Sequence, residues 1–497
     1  MTAAPHSNVP HAVPRRAVLA GAGLGMATAV LGLPGPARPA SAAVTPMPLG
    51  TLLGTNHAAA AGPSIGALAG MSWDRSDILW AAVESTQGTY DDSAIHAFGT
   101  RFAAAAANGV TLLPVLAYSA PWAARTTAYG WSHWDVQYAV GAAQVDAGSG
   151  WSRRVTRTRI STGEVLQDED LVLPKDKTPP ADPARWLAFV DHVVTILRST
   201  YGVEYFQVWN ETYWSAGFWY GSPYEYIDQI HKPASTAIRN HGGKVVYGGW
   251  PSLAAIARFT ALLNETNAWS SVDVLDVHYY KPSDLESLRV ACVAALGSSL
   301  PIWQTEIGYS TSPAAAALVY PGLLHWAITR GLAQLPDGFK LLWYAWQAPA
   351  SAPATGAGRY LRKADGSLTS HGVCLSTIAD LFGGVVPETY DDHTNDAGLT
   401  TARDWASGSI EGFLVGGIKI IIAIHTPAGW AGTNVTVTLA TLPPTAGAAR
   451  VDLTGQRAPL ALAGNAVTVA LADEPGSVAA SYNAASTIRT CYLEVSL

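Results

Sequence analysis

Three features of the chain predict an α/β protein, a (β/α)8 barrel followed by an all-β sandwich. Apolar runs of strand length alternate with amphipathic or Ala-rich helical stretches eight times over residues 49–382. These runs are apolar throughout, the pattern of parallel strands that helices cover on both faces. After Gly383-Gly384 the helical periodicity stops, and short β-like runs separated by Gly, Pro and Asn take over. Eight units in about 335 residues suit a closed barrel with insertions. A doubly wound open sheet is the alternative. The unit count and the lack of a Gly-rich phosphate loop after the first strand disfavour it.

Taken in order, residues 1–42 read as an address rather than structure. Pro14-Arg15-Arg16-Ala17-Val18-Leu19 opens a mildly apolar, Gly/Ala-rich segment, and Ala40-Ser41-Ala42 supplies a small-residue cleavage site. Paired arginines with modest hydrophobicity resemble a twin-arginine export signal. The mature protein is then expected in the periplasm or outside the cell, with no membrane contact once the signal is removed. An uncleaved anchor is the alternative; the short segment and the following Pro34 and Pro36 argue against it.

Residues 43–386 are the expected barrel. Strands are predicted at 49–57, 71–75, 110–118, 203–209, 244–248, 272–280, 300–306 and 339–347. A short helical piece separates the first two. Helices are predicted at 95–108, closed by Gly109, and at 184–201, closed by Gly202. Further helices are predicted at 223–241, 255–269, 284–296, 314–335 and 372–382. One stretch, 141–183, breaks the alternation. Its polar and apolar residues alternate around Ser161-Thr162-Gly163, which suggests a β-hairpin inserted after the third strand. Such a loop lies at the C-terminal face of a barrel, where it walls the cleft or is a plain surface excursion. Residues 387–497 are the expected sandwich, with runs at 412–424, 434–442, 449–453, 466–471 and 491–495. Structural support is its favoured role, and a carbohydrate-binding surface is the alternative.

Composition narrows the function. Apolar residues make up 49% and charged residues 13%, so the chain is a well-buried globular protein and not a disordered one. The formal charge of −7 becomes −10 once the leader's Arg15, Arg16 and Arg38 are removed. No basic patch offers a nucleic-acid surface. Cys292, Cys374 and Cys491 have no metal-ligand spacing and read as small core residues. There is no His-Glu-x-x-His, Cys-x-x-Cys or Walker-type loop, so no metal or cofactor is expected. Trp and Tyr are abundant, 18 and 20, against 9 Phe. Rings with a polar handle suit sugar-binding clefts, although a large core also consumes Trp.

Two carboxylates stand out. The fourth predicted strand ends in Trp209-Asn210-Glu211, and the seventh in Gln304-Thr305-Glu306. A buried strand does not want an ionised group. A Glu where such a strand stops caps a helix by accident or is held at the strand mouth for chemistry.

These two motifs, three strands apart and in this order, resemble the clan A retaining glycoside hydrolases, closest in pattern to family 39, with families 5 and 42 further off. Other segments agree: Trp73-Asp74-Arg75-Ser76-Asp77 with the second strand, Leu113-Pro114-Val115-Leu116 with the third, and Asp276-Val277-His278-Tyr279-Tyr280 with the sixth. The resemblance spans roughly residues 49–385. It implies a (β/α)8 barrel that cleaves O-glycosidic bonds of an oligo- or polysaccharide with Glu211 as acid/base and Glu306 as nucleophile. Retention needs the two carboxyl groups roughly 5–5.5 Å apart. Glu211 has to hold a proton for the leaving oxygen, and Glu306 has to stay ionised to attack the anomeric carbon. Asn210 would donate to the sugar 2-hydroxyl.

The family pattern also gives Arg75 and Tyr280 the task of hydrogen-bonding the nucleophile, and His278 would point into the same cleft. Arg75 could instead pair with Asp74 or Asp77, and His278 could be a satisfied core histidine. Trp346 is the expected stacking platform, with Trp343 the alternative. Trp122 and Trp214 are further sugar contacts. The competing function is a non-catalytic carbohydrate-binding or cell-envelope scaffold on the same barrel. The sugar, the linkage and endo or exo action stay open.

Overall fold

The computed structural model describes residues 46–58, 65–125, 129–133, 136–140, 150–159, 162–213, 216–308, 314–350, 359–401, 408–427, 429–471 and 489–497. The leader expected at 1–42 lies outside them.

Eight parallel strands form the barrel: β1 (Leu53–Asn56), β2 (Trp73–Leu79), β3 (Thr111–Ala117), β4 (Tyr205–Val208), β5 (Lys244–Val246, resumed at Trp250–Pro251), β6 (Leu275–His278), β7 (Ile302–Ile307) and β8 (Phe339–Trp343). Each pairs with its sequence neighbour, and β8 returns to β1, with Leu53 opposite Leu341. Closure runs through β5. Val274 N–H donates to the Val245 carbonyl and Tyr247 N–H to the Val274 carbonyl, both at 3.0 Å. The predicted strands are all present. The first is shorter than expected because residues Leu49–Leu52 form a 3-10 turn.

Helices cover the outside as predicted. α1 (Asp92–Ala106) is N-capped by Asp91, and α2 (Pro183–Tyr201) by Asp182, with Gly202 left-handed at its end. The helix expected over 223–241 begins with a capping box at Ser222 and Glu225, then widens into a π segment, Tyr226–His231, before Lys232–Asn240. That widening turns Tyr226 inward, where its hydroxyl donates to the Val208 carbonyl at 2.6 Å and so braces the end of β4.

Inside the barrel, side chains alternate with the strand period of two. Trp73, Leu113, Tyr205, Val246, Trp303 and Leu342, from β2 to β5, β7 and β8, together with Val274 just before β6, form an apolar floor. Trp303 packs edge-on to Trp73 at 5.0 Å and tilts against Tyr205 at 5.1 Å. Two residues further along, the inward positions turn polar: Arg75, Gln207, Asp276 and Thr305. The site is built on this second layer.

The insertion differs from the expected hairpin. It is a four-stranded antiparallel sheet, Tyr129–His133, Val136–Val140, Gly150–Arg159 and Val165–Pro174. The hairpin across Gly163 is its second half, while the sheet begins before residue 141.

The C-terminal β region pairs a six-stranded sheet with a four-stranded one. The run expected over 412–424 is two strands, Ser409–Val415 and Lys419–His425, joined by a turn at Gly416 and Gly417, both left-handed. Lys419–His425 is apolar on both faces because both are used. Ile420, Ile422 and Ile424 enter the sandwich interior, whereas Ile421 and Ala423 join the barrel's own core. Phe382 and Phe413 meet across this seam at 4.8 Å. Cys292, Cys374 and Cys491 are buried thiols that are not joined in disulfides.

Candidate active site

The site starts from Arg75. It is 2% exposed and lies inward on β2, so its charge must be matched inside the barrel. Four side chains do so. Its Nη1 donates to Glu306 Oε1 at 2.7 Å and to Asn56 Oδ1 at 2.9 Å, its Nε to Gln207 Oε1 at 2.8 Å, and its Nη2 to Asn210 Oδ1 at 2.6 Å. The alternative pairings with Asp74 or Asp77 are not made. One guanidinium thus ties together β1, β2, β4 and β7 and fixes the Glu306 carboxylate.

Glu306 sits at the end of β7 and is 7% exposed. Burial works against its charge, but His278 and Arg75 outweigh that and hold its pKa below the usual glutamate value. Its second oxygen accepts from the Tyr279 hydroxyl at 3.1 Å. Both oxygens are engaged, and the carboxylate is held ionised and aimed.

Glu211 follows β4 and is more open than Glu306. The chain reaches it through left-handed backbone at Trp209 (φ 66°) and at Glu211 itself (φ 45°), conformations that cost energy for residues with a Cβ. The first sends the Trp209 ring out among Trp186 and Trp219 and leaves Asn210 and Glu211 at the mouth. With its Oδ1 taken by Arg75, Asn210 can turn its amide N–H groups only toward a different acceptor. Glu211 Oε1 lies 3.0 Å from His278 Nδ1, and His278 Nδ1 lies 3.9 Å from Glu306 Oε1. One ligand atom each of Glu211, His278 and Glu306 lies within 4.8 Å of the others.

His278 is fully buried, and β5 makes room for it. Gly249 has φ 64°, and a Cβ there would come within 2.3 Å of the imidazole Nε2. This glycine is required by both its backbone and its neighbour.

Two of the expected roles move. Tyr280 does not reach Glu306, because its hydroxyl donates to the Pro251 and Ala254 carbonyls. The reason is local: the β6–β7 register shifts between Asp276 and His278, and Tyr279 has φ 62°. Period-two alternation therefore fails after His278, and Tyr279 takes the place assigned to Tyr280. Trp346 is 1% exposed, with the Arg362 guanidinium over its ring at 4.9 Å, and Trp343 is buried against Tyr320. Neither presents a face to the cleft. Tyr344, two residues beyond Leu342 of the floor, is half-buried, stands edge-on to His57 at 5.7 Å and carries Arg359 over its ring at 4.8 Å. Burial, and then the charge of Glu306, raise the pKa of its hydroxyl.

Trp122 is half-buried, packs on Trp80 and donates to the Glu84 carbonyl at 2.8 Å. Trp214 lies outside the described residues. Sequence reasoning missed Asn56, Gln207, Asp276, Thr305, Tyr279 and Tyr344. The first four share one signal: a polar residue inside an otherwise apolar barrel strand.

Among the described residues, the grouping with metal-ligand spacing is Glu211, His278 and Glu306 themselves. Within this group Glu211 faces His278, and Glu306 is bonded to Arg75 and Tyr279.

No family model matches the chain, and no curated protein matches it by sequence. Solved structures do match. One is a family 39 glycoside hydrolase from the gut symbiont Bacteroides cellulosilyticus WH2, 14% identical, with a TM-score of 0.56 over 89% of this chain and 80% of that one. Another is a family 39 β-xylosidase from Caulobacter crescentus, also 14% identical, with a TM-score of 0.51 over 92% of this chain and 98% of that one. At this identity the likeness establishes the fold: a (β/α)8 barrel with a C-terminal β region.

Proposed function

We propose that the protein is a retaining glycoside hydrolase, exported through its twin-arginine-type leader, that acts on a carbohydrate by double displacement. One observation carries the reading. Two carboxyl groups end β4 and β7, approach within 4.8 Å, and have different surroundings. Glu306 is clamped by Arg75 and Tyr279, as a nucleophile must be; Glu211 is more open and touches a histidine. An inverting enzyme needs roughly 6.5–9.5 Å between its carboxyl groups to lodge a water.

In the first step Glu306 attacks the anomeric carbon while Glu211 gives its proton to the departing glycosidic oxygen. A glycosyl ester forms on Glu306, and the Glu211 carboxylate then takes a proton from the water that displaces it. Arg75 steers the Glu306 lone pair and holds Asn210 so that its amide can meet the sugar 2-hydroxyl. Tyr344 is the aromatic wall. A non-catalytic scaffold would have no use for a carboxylate held ionised beside a second one.

The test is turnover. Aryl glycosides and polysaccharides are screened for released phenol or reducing ends, beginning with aryl β-xylosides because one structural neighbour is described as a β-xylosidase. Cleavage of one class supports the reading. Binding without cleavage across the panel supports the scaffold.

A further inference from the structure

The barrel interior holds a buried carboxylate, Asp276, that is bonded to neither Arg75 nor the two glutamates. It lies on β6, two residues before His278, and is fully buried. Asp276 Oδ1 accepts the Thr305 N–H at 3.0 Å, and Oδ2 accepts the Thr305 hydroxyl at 2.7 Å. His278 Nε2 stands 3.1 Å from that same Thr305 oxygen and 3.5 Å from Asp276 Oδ2.

Donor counting fixes the protons. A threonine hydroxyl has one hydrogen, and Thr305 gives it to Asp276. Toward His278 its oxygen can only accept. The other atom near Nε2 is a carboxylate oxygen, also an acceptor. His278 Nε2 therefore carries a hydrogen in every protonation state, and all of the ring's variability lies at Nδ1, which faces Glu211 Oε1 at 3.0 Å. A neutral ring accepts a proton from a Glu211 carboxyl; a charged ring donates one to a Glu211 carboxylate. The two arrangements differ only in where a single proton sits between those atoms.

We propose that His278 and Glu211 hold the catalytic proton jointly, with Asp276 and Thr305 as positioning residues that lock the imidazole so that Nδ1 receives and returns it. In the resting enzyme the proton is on Nδ1. It passes to Glu211, which turns it toward the glycosidic oxygen as that bond breaks, leaving neutral His278 and a Glu211 carboxylate. In the second half the attacking water gives its proton to Glu211, and His278 takes it back. No other donor is consumed, and each turnover restores the starting state.

The charges facing His278 agree with a ring that is charged at rest. They are Glu211 after β4, Glu306 on β7 and Asp276 on its own strand, while from β5 the Gly249 backbone lies against the ring. Burial opposes the charge, but Glu306, Asp276 and Glu211 outweigh it and push the imidazole pKa up to about 10. This pairing rests on the glycosidase reading only for its use in turnover. The tautomer and the shared proton are properties of the free enzyme.

Histidine-selective 15N NMR of the full chain, with the His278 signals assigned from His278→Gln, tests it without substrate. The expected spectrum keeps Nε2 protonated throughout and loses the Nδ1 proton only well above pH 8. Asp276→Asn should lower that titration by about one pH unit or more, and Thr305→Val by less; the second variant serves if the first does not fold. For any phenyl glycoside the wild type cleaves, the alkaline limb of kcat/KM should move with the NMR titration in both variants. A purely structural role would change rate or stability without moving that limb. A neutral His278 at pH 7 protonated on Nδ1, or an Asp276→Asn variant titrating like wild type, overturns the proposal. If NMR agrees and no glycoside is cleaved, the shared proton stands and the hydrolase reading fails.

Discussion

The floor and the mouth of the barrel are two residues apart on the same strands, and they obey different rules. The floor, Trp73, Tyr205, Trp303 and their neighbours, is apolar and follows period-two alternation without exception. The mouth is polar, held by one buried guanidinium, and entered through left-handed backbone at Trp209, Glu211 and Tyr279. Strain of this kind costs on the order of 1–3 kcal/mol per residue. It persists because the packed floor and the four bonds of Arg75 over-determine the geometry. The lesson is a division of labour: the floor carries stability and the mouth spends some of it on aim.

Substitutions at the two levels should therefore separate fold from chemistry. The largest effect is expected at the mouth. Glu306→Gln should lower kcat by roughly 10³-fold or more while thermal melting stays near wild type. Retained turnover would remove Glu306 from the nucleophile's role. Next comes the floor: Trp303→Ala should cost about 3–5 kcal/mol of stability, read by urea unfolding, with turnover per folded molecule largely kept. A mild stability loss paired with a dead enzyme would break the comparison.

The adjacent tyrosines sharpen it further. Tyr279→Phe removes a hydrogen bond to the Glu306 carboxylate, and should lower kcat about 10–100-fold with little change in melting. Tyr280→Phe removes a bond to backbone, and should cost about 1–2 kcal/mol with kcat preserved. An exchanged pattern would restore Tyr280 as the nucleophile's partner.

The same division explains what the sequence made legible. Eight strands, seven helices and both mouth carboxylates were readable because burial imposes apolar runs and a carboxylate at the end of one is conspicuous. Tyr280 was misread because the family pattern was carried onto that position, whereas the φ that turns Tyr279 toward Glu306 is one that only the folded chain reveals. Tyr344 was readable in principle, since Leu342 fixes the inward face of β8, but it lies between Trp343 and Trp346, the larger rings of the same stretch. Asn56, Gln207, Asp276 and Thr305 were visible as polar breaks in apolar strands, but what they bond is tertiary. In the insertion, the hairpin around Gly163 announced itself by its turn, whereas Tyr129–His133 and Val136–Val140 carry too few turn signals to be seen. At Gly416-Gly417 the opposite happened: an apolar run hid a turn, because both flanking strands are buried.

The central claim is that Glu211 and Glu306 form one retaining pair, and stereochemistry tests it most directly. Proton NMR of the first anomer released, recorded before mutarotation, reads the outcome for whichever glycoside is cleaved. With the carboxyl groups within 4.8 Å, the product should keep the substrate's anomeric configuration. A product of inverted configuration would contradict the pairing, and with it the assignment of Glu306 as nucleophile.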